Sequence, residues 1–323
     1  MKTKVGIIGT GKFASKTHYP ICSMMEDVTI AAVCDLQPER TKAKAEQYNI
    51  PKQYQDAFEM INNEELDAVI IVLPPGPVFD IAMHAFKKRL NVFCEKPAGI
   101  NPEQARKLAY AAEDNGCHSQ VGLNRRFCPV VREARKRILK TGSPQSCAAI
   151  FNKFSLGTPD WESGDWLLID GLHALDCLFF LADSFPLKVY PYSHRAANGY
   201  LSRYSVQIEF ENECIGTYMG NYHAGVRWER FEVHGEGVSA YITAPESAEI
   251  FLQNRSGAVP RPTPDEILKN IDLVGSTDNL ISYGYKQELQ HFFDVVQKKR
   301  KPEITLREII PVMDLVDTIR KVG

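Results

Sequence analysis

The sequence predicts an α/β protein of two domains: an N-terminal Rossmann domain with a doubly wound parallel sheet, then an α+β domain with a large, mostly antiparallel open sheet. Three observations carry this prediction. The 323 residues exceed the roughly 150 that one domain usually holds. Strand and helix patterns alternate up to residue 122, as βαβ crossovers require, whereas strand patterns dominate 147–243. We assign 1–122 to the first domain and 123–323 to the second, with C-terminal helices that could pack back on the first.

Short apolar runs mark the strands of the first domain, at 5–8, 28–34, 68–73, 91–94 and 119–122. The run 68–73 is apolar throughout, which is typical of a strand buried on both faces of a parallel sheet. Helical patterns lie between the strands. The first is kinked or reset at Pro20. The others cover 38–48, 79–88 and 102–115, the last capped by Asn101 and stopped by Gly116.

The second domain opens with a basic helix at 129–140 and continues mainly as strands. The strand patterns lie at 147–154, 187–193, 204–210, 214–222, 228–234 and 238–243. Short polar links such as 211–213 and 235–237 predict hairpin turns, so the sheet should be largely antiparallel. One helix, at 168–181, interrupts the strands. The proline-containing stretch 256–279 is predicted to be a surface excursion, and helices at 286–299 and 306–322 end the chain.

Composition excludes several classes of protein. The net charge is -2, from 38 basic and 40 acidic residues, so nothing favours nucleic acid or an anionic membrane as partner. The chain has no signal-peptide pattern and no apolar run near the 18 residues that a membrane span needs. Eight cysteines are scattered without a C-x-x-C pair, which favours reduced, buried thiols in a cytoplasmic protein. We assign no metal ligands.

A glycine-rich turn gives the sharpest local signal. Gly9-Thr10-Gly11-Lys12-Phe13-Ala14 is a G-x-G-x-x-A that directly follows the first strand and opens a helix. The glycines allow a tight turn and a close approach to a pyrophosphate, and the small third residue lets the helix pack on the strand. Asp35 ends the second strand, where an acid binds ribose hydroxyls. Its charge favours NAD over NADP, although the nearby Arg40 leaves NADP open.

Two loops follow strands at the edge where such sheets bind ligands. Leu73-Pro74-Pro75-Gly76-Pro77 follows the fourth strand and is either a rigid wall against the cofactor, through Leu73 and Pro74, or a structural turn. Glu95-Lys96-Pro97 follows the fifth strand. Lys96 is either a solvated lysine or a proton-transfer group beside the nicotinamide, since desolvation and a nearby cation lower the pKa of a lysine. We count Glu95 and Lys96 among the cofactor contacts.

A second constellation lies on the predicted helix at 168–181. Asp170 and His173 are i,i+3 neighbours on one face, either as an acid–base pair or as a core histidine satisfied by a local acid. Asp176, further along the same helix, could equally belong to this constellation or be a solvated surface residue. Arg125 and Arg126, at the predicted domain junction, either bind an anionic or polyol substrate or pair with interdomain carboxylates.

Together these segments resemble the Gfo/Idh/MocA family, which includes glucose–fructose oxidoreductase and inositol dehydrogenase. The resemblance covers essentially the whole chain and rests on segments in a characteristic order: 5–14, 33–35, His84 with 94–97, 122–127, 170–176, and a closing pattern from Tyr285 through Phe292 to Lys301-Pro302.

The resemblance implies NAD(P)-dependent oxidation or reduction of a secondary alcohol or carbonyl, usually on a sugar or cyclitol. It implies that Lys96 is the catalytic lysine, His173 the acid–base histidine and Asp170 the aspartate that helps to hold substrate. It also implies that the open sheet builds an oligomer interface, and we expect a homo-dimer or homo-tetramer. The active site would then take its cofactor from the first domain and His173 from the second.

The chain departs from the family pattern in three places. The glycines that usually precede the aspartate are replaced by Gly164-Asp165-Trp166, where Trp166 would narrow the pocket or stack on a sugar. The common Thr-Pro-Asn after the fourth strand is Leu73-Pro74-Pro75, and the usual glycine before the fifth strand is replaced within Lys88-Arg89-Leu90. These changes affect the substrate assignment more than the fold. Two alternative functions stay open, a non-catalytic dinucleotide-sensing regulator and a glycosidase that uses tightly held NAD.

Overall fold

The structure is a computed structural model that describes residues 2–154, 166–197, 199–253 and 263–322. The chain divides into two compact units. The first consists of Met1–Leu123 and Lys286–Ile310, and the second of Asn124–Tyr285 and Pro311–Gly323.

A six-stranded parallel sheet forms the centre of the first unit. Its strands are β1 (Thr3–Ile8), β2 (Val28–Cys34), β3 (Lys52–Tyr54), β4 (Ala68–Ile71), β5 (Asn91–Glu95) and β6 (Ser119–Gly122). They are arranged in the order β3-β2-β1-β4-β5-β6, so the direction of winding reverses between β1 and β4. The doubly wound parallel sheet is therefore confirmed. Every residue of β4 is buried, in keeping with its apolar sequence.

Six helices accompany this sheet: α1 (Lys12–Lys16), α2 (His18–Ser23), α3 (Pro38–Tyr48), α4 (Ala57–Asn63), α5 (Pro75–Lys87) and α6 (Pro102–Asp114). The helical pattern around Pro20 is reset rather than continuous, because α1 ends and α2 begins on either side of Thr17. Asn101 caps α6 by accepting a hydrogen bond from the Gln104 N–H, as the sequence predicts.

Three sequence expectations for the first unit need correction. β3 and α4 were not predicted, since β3 is three residues long and lacks a buried apolar position. α5 begins at Pro75, so the interpretation of 75–77 as a rigid loop is wrong; prolines fit a first helical turn, whose N–H groups have no partner within the helix. Within Lys88-Arg89-Leu90, Arg89 adopts the left-handed conformation with φ of 61°, which glycine adopts most readily.

An eight-stranded sheet organises the second unit. After α7 (Pro129–Leu139), the chain forms β7 (Ser146–Phe154), α8 (Leu172–Ala182), β8 (Pro186–Arg195), β9 (Leu201–Phe210), β10 (Ile215–Asn221), β11 (His223–Gly235), β12 (Val238–Thr243), β13 (Ser247–Leu252) and β14 (Glu266–Lys269). Their order is β14-β13-β12-β11-β7-β10-β9-β8. All neighbours are antiparallel except β7 and β10, which confirms the largely antiparallel sheet.

Four further helices complete the chain: α9 (Asn270–Val274), α10 (Asn279–Ser282), α11 (Tyr285–Val296) and α12 (Leu306–Val322). The described part of the predicted surface excursion over 256–279 is mostly exposed, with Leu268 and Asn270 buried, but it also contains elements that were not predicted, namely β14, α9 and the start of α10. Residues 254–262 lie outside the described residues. α8 is apolar around its circumference and almost wholly buried, as expected of a core helix.

Candidate active site

The glycine turn of the first unit has the geometry that its sequence predicts. Gly9 has φ of 105°, and a Cβ at this position would lie 2.2 Å from the carbonyl oxygen of Val72. Gly11 differs, because a Cβ there would meet nothing within 4 Å. Ala14 is fully buried, whereas Lys12 and Phe13 are exposed. The turn thus leaves open space in front of its second glycine, where a phosphate can approach the backbone.

Asp35 lies beside this turn, directly after β2. Its Oδ2 accepts hydrogen bonds from the Thr10 N–H at 2.8 Å and the Thr10 hydroxyl at 2.7 Å, and its Oδ1 accepts one from the Gln37 N–H at 3.0 Å. Burial raises the pKa of this carboxyl, but these hydrogen bonds and the charge of Arg40 outweigh it, so the net pKa is lowered. Asp35 is therefore a carboxylate held in place by the turn.

These features fit a nicotinamide dinucleotide. The open space at Gly11 suits a pyrophosphate, and an oriented carboxylate at the end of the second strand suits ribose hydroxyls. The cofactor contacts predicted for Leu73, Pro74, Lys12, Phe13 and Arg40 remain predictions.

Glu95 and Lys96 lie at the carboxyl end of β5. Lys96 is half-buried. The Glu95 side chain is buried, and its Oε1 lies 3.0 Å from Nε2 of His18, the first residue of α2. His18 was not predictable as a site residue, because a lone histidine in a helical pattern carries no signal for a partner far along the chain. The contact between Glu95 and the cofactor remains a prediction, although its carboxylate is already engaged within the protein.

In the second unit, Asp170 and His173 lie at the start of one helical run. Asp170 belongs to a π-helical turn, Leu167–Gly171, that leads into α8, and His173 is the second residue of α8. Lys153 of β7 donates a hydrogen bond to Asp170 Oδ2 at 2.7 Å. No local pattern indicates this lysine, because tertiary packing between a strand and a helical turn brings it next to an acid 17 positions along the chain. His173 is buried, with 6% of its surface exposed.

Aromatic side chains surround this pair. Trp166 stacks on Tyr222 with ring centroids 5.9 Å apart and planes inclined by 19°, and Lys153 Nζ lies 6.0 Å from the Trp166 ring. A Cβ on Gly171 would lie 2.9 Å from the hydroxyl of Tyr218, so glycine is required for this approach. The predicted role of Trp166 in substrate binding is untested, and Gly164 and Asp165 lie outside the described residues.

Arg125 forms a buried ion pair in the second unit. Its Nε and Nη2 donate to the two carboxylate oxygens of Glu229 at 2.8 and 2.9 Å, and its guanidinium lies 5.0 Å from the Tyr283 ring centroid. Arg227 also donates to Glu229. Burial raises the pKa of Glu229, but the two arginines outweigh this and lower it. Of the two predicted roles for Arg125, this arrangement favours ion pairing over substrate binding. The partner, Glu229, belongs to the same unit as Arg125.

Arg126 makes a similar pair with Asp176. Its Nε donates to Asp176 Oδ2 at 2.7 Å, and Nη2 donates to Oδ1. Asp176 is fully buried, so the interpretation of this residue as a solvated surface acid is wrong. The substrate contacts predicted for Arg125 and Arg126 remain predictions.

The Glu229 network makes a testable contribution to stability. We expect Glu229→Gln to lower the free energy of unfolding by about 3 kcal/mol at pH 7, since breaking a buried pair leaves uncompensated charge. The lowered pKa of Glu229 means that its stabilisation is present above its ordinary value of 4.5 and is lost as pH falls below it. Urea unfolding at pH 7 and pH 3 should therefore show a difference from wild type that shrinks in acid.

Glu209→Gln is the matched control, because Glu209 forms an exposed pair with Lys188 on the same sheet. It should unfold like wild type at both pH values. Equal stability of Glu229→Gln and wild type at pH 7 would contradict the assignment.

The order of the parallel strands, the glycine turn and Asp35 define the first unit as a dinucleotide-binding Rossmann domain. Residues 3–123 match the oxidoreductase family with an NAD-binding Rossmann fold, and residues 156–321 match the C-terminal alpha/beta domain of that family. The chain belongs to the Gfo/Idh/MocA family of oxidoreductases, and NAD is its cofactor.

Individual relatives agree with this membership. The chain is 22% identical to scyllo-inositol 2-dehydrogenase (NAD(+)) of Bacillus subtilis over 319 residues, which covers 94% of this chain and 89% of that protein. A dehydrogenase from Chromobacterium violaceum shares the fold with a TM-score of 0.89 at 20% identity, over 100% of this chain and 96% of that one. An oxidoreductase from Agrobacterium radiobacter, solved with NAD+, L-tartaric acid and magnesium, gives a TM-score of 0.82 at 17% identity, over 100% and 96%.

Two further features bear on the class of protein. None of the helices in the described residues is long and apolar enough to cross a membrane. All eight cysteines are free thiols, and seven of them are buried.

Proposed function

We propose that the chain transfers hydride between NAD and a secondary alcohol or carbonyl of a sugar, cyclitol or related polyol. The observation that carries this proposal is the pair Asp170 and His173 at the start of α8, in the C-terminal domain of an oxidoreductase family that binds NAD. The inositol dehydrogenase among the relatives supports a polyol substrate.

Each proposed catalytic side chain has one role. NAD, when bound, supplies the hydride acceptor at C4 of its nicotinamide. In the oxidation direction, the imidazole of His173 accepts the proton of the substrate hydroxyl as the C–H bond breaks. The ammonium group of Lys96 stabilises the alkoxide charge that develops on the same oxygen. Asp170, which Lys153 holds in place, orients His173 and binds a neighbouring hydroxyl. We assign Trp166 and Arg126 to the walls around the substrate, whereas the guanidinium of Arg125 is committed to its buried pair with Glu229.

Turnover with a panel of compounds tests the proposal. The purified protein is mixed with NAD and inositols, aldoses or uronates, or with NADH and their keto forms, and absorbance of reduced nicotinamide is followed. We expect at least one compound to give turnover that Lys96→Met and His173→Ala each lower by about a hundredfold or more. Turnover that survives both substitutions would contradict the proposed roles, as would binding of NAD with no turnover on any compound.

Two other functions have distinct outcomes in the same experiments. A dinucleotide-sensing regulator would bind NAD without turnover and capture a partner in an NAD-dependent way that survives Lys96→Met. A glycosidase that uses held NAD would release the chromophore from a chromogenic glycoside with no net change in NADH. The intact lysine and histidine favour the dehydrogenase over the regulator.

We also propose that the outer face of the eight-stranded sheet joins copies of this chain into a homo-dimer or homo-tetramer. Strand register aligns Tyr192, Ser205, Met219 and Ile150 across four neighbouring strands. Tyr192 is 74% exposed and Met219 50% exposed, so apolar side chains face outward from the half of the sheet that ends at β8.

Met219→Lys should dissociate the oligomer, because it places a charge at the centre of the proposed interface. Light scattering after size exclusion should show a smaller species than wild type at equal concentration. Met24→Lys is the matched control, since Met24 is 60% exposed and belongs to the first unit rather than to this sheet. A monomeric wild type, or an unchanged mass for Met219→Lys, would contradict the interface.

We also propose that the protein is cytoplasmic, because its free thiols favour a reducing compartment.

A further inference from the structure

A buried histidine and carboxylate lie beside the proposed catalytic lysine in the first unit. His18 is 1% exposed and Glu95 7% exposed, and Nε2 of His18 lies 3.0 Å from Oε1 of Glu95. Nδ1 of His18 is buried and has no hydrogen-bond partner within the described part of the chain. The tautomer with its proton on Nε2 lets the imidazole donate to the carboxylate and leaves Nδ1 as an acceptor rather than as a buried N–H donor.

The Glu95 carboxylate is confined on a second side by β6. Glu95 ends β5 and pairs in register with Gly122, which ends β6. A Cβ on Gly122 would lie 2.8 Å from the carboxyl carbon and from each carboxylate oxygen of Glu95. The carboxylate therefore lies across the end of the neighbouring strand, in space that only a glycine leaves open.

His18 also contacts the glycine turn. Its ring lies edge-on to Phe13, the fifth residue of the motif, with centroids 5.4 Å apart, and to Phe93 of β5 at 5.7 Å. One imidazole therefore touches the cofactor turn and the strand that ends in Glu95.

Stability alone gives a weak reason for such a pair. Removing a carboxylate from water costs several kcal/mol, and a well-packed apolar pair of similar volume is often as stable. A buried hydrogen bond does, however, fix the orientation of the groups that it joins. Here it fixes Glu95, the residue directly before Lys96.

We propose that His18 is a positioning residue: by holding Glu95 across Gly122, it fixes the carboxyl end of β5 and with it Lys96. This inference rests on the proposed function, because it takes Lys96 as the group that touches substrate. Displacement of a catalytic group by about 1 Å can cost a hundredfold in rate. Disrupting the pair of His18 and Glu95 should therefore change kcat more than it changes the Kd for NADH.

Three variants test this proposal. His18→Phe keeps an aromatic ring against Phe13 and Phe93 but removes the hydrogen-bond donor to Glu95. His18→Gln offers an N–H donor in place of the imidazole. His84→Phe is the matched control, since it makes the same histidine-to-phenylalanine exchange on α5, where His84 contacts Asn62. We expect His18→Phe to lower kcat by about tenfold to a hundredfold on the substrate found in the panel. The KM for NAD and the Kd for NADH should change far less. His18→Gln should recover most of the loss, and His84→Phe should match wild type.

A double substitution covers the case in which His18→Phe fails to fold. His18→Phe combined with Glu95→Gln removes the buried charge, and its kcat should stay as low as that of Glu95→Gln alone, because His18 acts through Glu95. If His18→Phe lowers only the Tm and leaves kcat unchanged, or if the double variant regains full kcat, the inference is overturned. Failure of the proposed function looks different, since Lys96→Met would then turn over as fast as wild type.

Discussion

Lys96→Met should lower kcat by about a hundredfold to a thousandfold, the usual cost of removing one group that stabilises a developing negative charge. Methionine fills a similar volume but carries no charge, so the alkoxide that forms on the substrate loses its stabilising ammonium. The Kd for NADH, measured by fluorescence titration, should change far less than kcat, since the glycine turn and Asp35 are untouched. The loss should therefore appear in the chemical step rather than in cofactor binding.

Lys42→Met is the matched control for this experiment. Lys42 lies on α3 in the same unit, and 72% of its side chain is exposed. It should retain wild-type kcat and Kd. Activity of Lys96→Met close to that of Lys42→Met would remove Lys96 from the mechanism, whatever the cofactor affinity.

Gly9→Ala should abolish NADH binding and destabilise the protein by about 2 to 4 kcal/mol, the sum expected of backbone strain and overpacking. Gly9 has φ of 105°, and the new Cβ would lie 2.2 Å from the Val72 carbonyl oxygen and 3.2 Å from Leu73 Cδ2. The oxygen belongs to backbone and cannot rotate away. The turn must therefore shift, and with it the N–H of Thr10 that holds Asp35.

Gly11→Ala separates the role in folding from the role in binding. Gly11 has φ of -59°, which any residue adopts, and its Cβ would meet nothing within 4 Å. This variant should keep the wild-type Tm but lose affinity for NADH, because the methyl group enters the space assigned to the pyrophosphate. Equal Tm values for Gly9→Ala and wild type, or full NADH affinity in Gly11→Ala, would contradict the geometry of the turn.

The parallel sheet was predictable from the sequence because its signals are local. Apolar runs such as Ala68–Ile71 specify buried strands, and the glycine turn and Asp35 lie at fixed distances from β1 and β2. β3 was not predictable in this way, since Lys52–Tyr54 is held by pairing with β2 rather than by an apolar pattern.

The candidate site was predictable only where its residues form a motif. Asp170 and His173 are neighbours on one helix, so their spacing indicates a pair. The partners of Asp170, Glu95 and Arg125 come from distant strands and helices, and tertiary packing alone selects Lys153, His18 and Glu229 among many charged residues. For the same reason, the alternative of ion pairing for Arg125 could be stated from the sequence, but its carboxylate could not be named.

Deuterium transfer from substrate to NAD follows the proposed hydride transfer itself. The protein is incubated with NAD and uniformly C-deuterated inositols and sugars, and the reduced nucleotide is analysed by mass spectrometry. We predict that one deuterium moves from the substrate carbon to C4 of the nicotinamide, and that Lys96→Met and His173→Ala both suppress this transfer. If wild type binds NAD yet no deuterium reaches the nucleotide from any compound, or if both variants transfer it at the wild-type rate, the account is contradicted.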